Sequence, residues 1–154
     1  MNKISMTQKK WLLLLHVIFS AIMLGGAVIF LVLSIVATTS QDSGLTQSCY
    51  TVMHALSKTS VRASTIGTLV TGLLLSAWTH WGFLRYHWVI AKEVLSVLAI
   101  LLGPVGMYVW TFGAAASGQS SALLWCGIIL QILSLAAIFF LSVFKPGGKR
   151  AMRK

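Results

Sequence analysis

Few residues in this chain suit chemistry: four histidines, two cysteines and two acids among 154 residues. One acid, Glu93, follows Lys92 inside the apolar run 87–112, which is long enough to cross a bilayer. Ionised groups are costly in hydrocarbon, so an acid beside a base marks a candidate site. His16 lies at a comparable depth in the run 11–37, and His80 and His87 flank the turn at the same end. One layer therefore gathers His16, His80, His87, Lys92 and Glu93. Imidazoles projecting inward from facing helices are how bundles hold a haem iron or a metal. The pattern points to b-type haem, with His16 as an axial ligand and His87 as its partner. The same residues also fit a cofactor-free bundle. Histidine near an interface is readily solvated, Lys92 can reach the headgroups, and Glu93 can pair with Lys92, Arg85 or His16.

A second set lies towards the other end of the spans. Cys49, Met53, His54, Met107, Tyr108 and Cys126 supply thiol, thioether and imidazole, soft ligands that suit copper(I) or haem iron. Within it, His54, Cys49, Met107 and Cys126 join His16 as candidate metal ligands. Their spacing matches no established metal motif. A hydrogen-bonded His54, with cysteines free or joined as a Cys49–Cys126 disulfide, is the competing reading.

Other chemistries have no residues to run on. Asp42 and Glu93 form neither a paired-carboxylate site nor an acidic magnesium site. GxSxG, P-loop, Rossmann and HExxH patterns are missing, which argues against a hydrolase, a kinase or a nucleotide-driven pump. A proton relay through Glu93 and His16 remains compatible.

The elements that must position these residues are membrane spans. The chain is 57% hydrophobic and 9% charged, too few charges to cover a soluble domain of this size. Apolar runs at 11–37, 62–79, 87–112 and 121–144 approach or exceed the roughly 20 residues a spanning helix needs. Lys3, Lys9, Lys10, Arg85, Lys145, Lys149, Arg150, Arg153 and Lys154 then fall on one side, and Lys58 and Arg62 on the other. The positive-inside rule places both termini, and the basic tail 145–154, in the cytoplasm. Trp11, Trp78, Trp81 and Trp88 sit near the inner interface, with Trp110 and Trp125 near the outer one, as in an aromatic belt. The net charge of +10 thus reads as orientation and contact with anionic headgroups at the cytoplasmic side, not as a nucleic-acid surface.

Residues 38–44 read as loop, and three- and four-residue spacings from His54 to Thr79 extend the second helix back to about residue 46. Short connections make sequential helices antiparallel neighbours. Pro104 predicts a kink in the third span. Small and polar residues mark the packed faces: His16, Ser20, Met23, Ala27, Phe30 and Ser34 in the first span, and Thr65, Thr68, Gly72, Ser76 and Thr79 in the second. Glu93, Ser96, Ile100, Gly103 and Met107 mark the third, and Gly127, Gln131, Ser134, Ile138 and Ser142 the fourth.

Two segments carry a resemblance. Leu15-His16-Val17 is followed by Gly25-Gly26, and Thr71-Gly72-Leu73 by Trp81-Gly82, Arg85-Tyr86-His87-Trp88-Val89 and Lys92. Together they resemble a family of small four-span bacterial membrane proteins without an established activity. These are more distantly similar to the membrane domain of CopD-type copper-resistance proteins. The resemblance runs from about Trp11 into the fourth span. It implies four spans in a bacterial cytoplasmic membrane, with His16 and Lys92 at motif positions and a link to copper.

The expectation is an all-α, four-helix transmembrane bundle of one domain, multi-pass, with both termini cytoplasmic. Its expected role is to bind a redox cofactor, haem b through His16, with His87, His54, Glu93 and Lys92 as further candidate contacts. The alternatives are copper handling, or a cofactor-free accessory subunit or small transporter with a polar interior. A redox partner and self-association are compatible, and no residue is assigned as catalytic.

Overall fold

The computed structural model describes residues 5–78 and 87–144. His80, Trp81, Arg85 and the basic tail lie outside them. Four helices, each long and apolar enough to cross a membrane, make up the described chain: α1 (Met6–Thr39), α2 (Ser43–Trp78), α3 (His87–Ser117) and α4 (Ala122–Phe144). The fold is an all-α, four-helix transmembrane bundle.

Local chemistry sets the ends. Ser5 and Gln8 form a capping box at the start of α1. The Gln8 amide donates to Ser5 Oγ at 3.2 Å, and the Ser5 amide donates to Gln8 Oε1 at 2.9 Å. Asp42 caps α2 by accepting from the Gly44 amide at 2.8 Å. The helix therefore begins at Ser43, earlier than the spacing pattern suggests, and only residues 40–42 separate it from α1. Gly118, at φ 68°, closes α3 in the left-handed conformation that glycine adopts most readily. α3 thus runs five residues beyond its apolar core.

Side-chain pairs fix the antiparallel register. From one end of α1 to the other, His16 meets Thr71, Met23 meets Thr65, Ser34 meets Met53, and the Ala37 carbonyl accepts from Thr46. Between α2 and α3, Thr111 lies beside His54 and Ser57, and the Gln47 amide donates to the Ala115 carbonyl. Met23 and Ala27 of α1 pack with Ala99 of α3 and Leu135 of α4. The expected packed faces of α1 and α4 are the buried ones. Met23, Ala27, Phe30 and Ser34 are buried in the first, and Gly127, Gln131 and Ser134 in the last. Outside the bundle lie many large exposed apolar side chains, Val94, Val97, Leu133 and Phe140 among them, a surface that suits lipid rather than water.

Two stretches widen to π-helix: Ser57–Val61 in α2 and Leu101–Met107 in α3. Pro104 has no N–H to donate, and the wider turn at this place accommodates that loss. The two stretches pack against each other at the middle of the bundle. There Met23, Ala27, Phe30, Val61, Gly103, Met107 and Gln131 enclose a cavity of about 10 Å³.

Above this waist α2 and α3 stay together. Below it, in the half that holds both chain ends, Arg62–Trp78 rests on α1 and His87–Ile100 rests on α4. Among the described residues these two segments barely meet each other, which leaves an opening between them.

Candidate functional site

His16 stands at this opening. Its Nδ1 lies 2.9 Å from the Thr71 hydroxyl. Thr71 also reaches the Gly67 carbonyl at 2.6 Å, which commits its single proton. With its proton on that shorter bond the hydroxyl accepts from His16, an arrangement that favours the ring proton on Nδ1 and the lone pair on Nε2. Gly72 gives the ring its place: a Cβ there would stand 3.2 Å from His16 Cε1. The Ser20 hydroxyl donates to the His16 carbonyl at 2.7 Å, one turn back on α1.

Across the bundle, Glu93 is half-buried and its Oε1 has no hydrogen-bond partner. The Thr68 hydroxyl, one turn from Thr71, is likewise without a partner. Lys92 comes near enough to His16 to act on it electrostatically, and its ammonium lies 5.6 Å from the Trp88 ring centroid. Helix register puts Glu93 about 9 Å below Ala99 and His16 about 10 Å below Met23. Since Ala99 and Met23 share one core cluster, Lys92 and Glu93 fall at about the depth of His16. His87 is exposed at the start of α3, at the same end. Neither a hydrogen bond nor a ring contact joins it to His16.

His54 stands apart. Along α2 it is about 25 Å from the level of Thr71, so it cannot share a site with His16. Its Nδ1 lies 3.3 Å from the Thr111 hydroxyl, whose proton goes to the Met107 carbonyl at 2.6 Å. Its ring packs on Tyr108 and Phe112, with centroids 5.1 and 5.4 Å away. Cys49 and Met107 are buried in the apolar core with Met53, whereas Cys126 is exposed. Both cysteines are free thiols, so the conceivable disulfide is not formed. Among the described residues no three His, Cys, Asp or Glu side chains gather as a metal site. Of the set His54, Cys49, Met107 and Cys126, Cys49 and Met107 thus share the core, His54 stands against Thr111 and Tyr108, and Cys126 is exposed.

Sequence reasoning placed His16 and Glu93 in one layer but missed the threonines as their setting. Thr71 and Thr111 are both buried, each with its hydroxyl turned back to the preceding turn. The recurring signal is a histidine facing a threonine on the next helix. Comparison with protein families, with curated proteins and with solved structures gives no match.

Proposed function

We propose that this is a membrane-embedded binding protein that holds a redox cofactor, b-type haem, in the opening between α2 and α3, with Nε2 of His16 as axial ligand. One observation carries the reading: Nδ1 of His16 lies 2.9 Å from the Thr71 hydroxyl, which is itself 2.6 Å from the Gly67 carbonyl, an arrangement that favours the Nδ1–H tautomer with Nε2 as a donor. Holding the far nitrogen of a ligating imidazole by a hydrogen bond is the usual way to set its orientation and basicity. The 10 Å³ cavity at the waist accommodates nothing larger than a water, so the cofactor belongs to the open half. His87, at the same end, is the candidate second ligand. The resemblance and the positive flanks support a bacterial cytoplasmic membrane with both termini inside.

Purified protein, expressed with ample haem precursor, tests this. A Soret band that His16→Ala abolishes is the expected result. Wild-type protein without one, or His16→Ala protein that keeps it, overturns the reading.

A second reading rests on different atoms. Glu93 Oε1 and Thr68 Oγ1, both buried without partners, lie in the same half of the bundle as His16. Such groups serve a proton relay in a small transporter. Proton uptake into proteoliposomes, measured with a trapped pH dye, distinguishes it from the haem reading.

A further inference from the structure

Three basic side chains climb one face of α2 at spacings of four: Arg62, Lys58 and His54. The Arg62 guanidinium lies 5.7 Å and the Lys58 ammonium 5.8 Å from the centroid of the same ring, Tyr108, on which His54 also packs. Both cations are exposed.

Their depth is unusual. Val61, next to Arg62, packs near Gly26 of α1 and Gly103 of α3, both close to the middle of their helices. Gln131 shares that level and lies about 13 Å below the near end of α4. Half of a hydrocarbon core is about 15 Å thick, so the Arg62 backbone sits close to the mid-plane. Side chains on a helix lean towards its N-terminus, which for α2 is the end away from the chain termini. Arg62 and Lys58 therefore reach up to Tyr108 and towards the nearer headgroups.

Among the described residues no acid lies beside them. Asp42 and Glu93 are its only acids. Asp42 caps α2 about 18 Å above His54, and Glu93 lies in the opposite half of the bundle. Two exposed cations at this depth require an anion from outside. Below Arg62 the same face continues as Ile66 and Val70, both exposed and apolar. A phosphate above with acyl chains below matches that order; a free phosphate would leave the apolar part unused.

We propose that Arg62, Lys58 and Tyr108 form the binding site for one anionic phospholipid, with its phosphate against the two cations and its acyl chains along Ile66 and Val70. The site lies in the half of the bundle opposite the chain ends, independent of the opening at His16.

Native mass spectrometry of the full chain, released from nanodiscs of mixed phosphatidylglycerol and phosphatidylcholine, tests this. Wild type should retain one phosphatidylglycerol, preferred over phosphatidylcholine by on the order of tenfold. Lys58→Gln with Arg62→Gln should remove the preference, while Lys58→Arg with Arg62→Lys should keep it at unchanged helicity. Four results overturn the proposal: no preference in wild type, an undiminished one in the Gln pair, displacement of the lipid by inorganic phosphate, or a co-purified acidic helix in its place.

Discussion

Thr71 Oγ1 sits between two groups, 2.6 Å from the Gly67 carbonyl and 2.9 Å from Nδ1 of His16, and so decides which imidazole nitrogen holds the proton. A hydroxyl has one proton to give, and the shorter of its two contacts is the one to the carbonyl. Thr71→Val removes the acceptor and should release the ring. Hydrogen bonds between membrane helices average about 0.6 kcal/mol, and a loss of that order is expected in a reversible unfolding assay. ¹⁵N NMR of the imidazole should show the Nδ1–H tautomer in wild type and in Thr71→Ser, and a mixture in Thr71→Val.

Two buried glycines should answer to alanine with opposite signs. At Gly127, an added Cβ would fall 2.2 Å from Trp110 Cζ3, with further ring atoms at 2.8 and 3.2 Å. The indole is held between α3 and α4 and has to move, so Gly127→Ala should cost about 1–3 kcal/mol. At Gly103 the nearest atoms are Gln131 Nε2 at 3.5 Å, Val61 Cγ1 at 3.6 Å and Thr65 Oγ1 at 3.8 Å, ordinary contact distances. Gly103→Ala fills space beside the waist cavity and restrains the unfolded chain, for a gain of about 0.5–1 kcal/mol. Thermal midpoints in one detergent, compared across the two variants, check both signs.

The four spans were legible because hydrocarbon demands length and apolarity, and the sequence carries both. The faces of α1 and α4 were legible for a related reason: His16 to Ser34 and Gly127 to Ser142 keep a helical period without interruption. α2 was harder to read. Thr65, Thr68, Gly72 and Ser76 were expected to be the packed stripe; Thr65 is buried, but the other buried residues of this stretch are Ser64, Thr71 and Leu75. The π-helical stretch Ser57–Val61 adds width to one turn and shifts the register between His54 and Ser76, and no residue type announces it. Pro104 marked the corresponding place in α3. Lys58 and Arg62 read as the flank of a span because apolarity begins after them. Instead they lie well inside a helix that starts at Ser43. Nor does one sequence reveal that Thr71 faces His16, since a threonine bonded to its own helix looks the same from either side.

Cys49 and Cys126 should differ sharply in reactivity. Cys49 is 5% exposed, in the core with Tyr50 and Met53, whereas Cys126 is exposed near one end of α4. In mild detergent at pH 8, a membrane-permeant maleimide should label one site per chain, and peptide mapping should place it at Cys126. Cys49 should react only after denaturation. Added copper(I) should not protect Cys126 if the dispersed arrangement holds in solution. Protection of both thiols together would restore the soft-metal site.

Glu93→Gln separates the two readings of the opening. The amide keeps the shape of the carboxyl and removes only its ability to lose a proton, so packing around α3 and α4 should be undisturbed. Helicity and monodispersity should match wild type, which rules out unfolding as the cause of any functional loss. If His16 alone ligates a haem iron, the Soret band stays, because Glu93 supplies no donor to the metal. If His16 and Glu93 pass a proton, uptake into proteoliposomes falls to the protein-free level, because a relay cannot cross a group that holds no exchangeable carboxyl proton. His16→Ala adds the second axis: it removes the Soret band in the first case and the flux in the second. A Glu93→Gln protein that keeps flux while His16→Ala abolishes it would leave His16 as the sole proton carrier and assign Glu93 to electrostatic balance with Lys92.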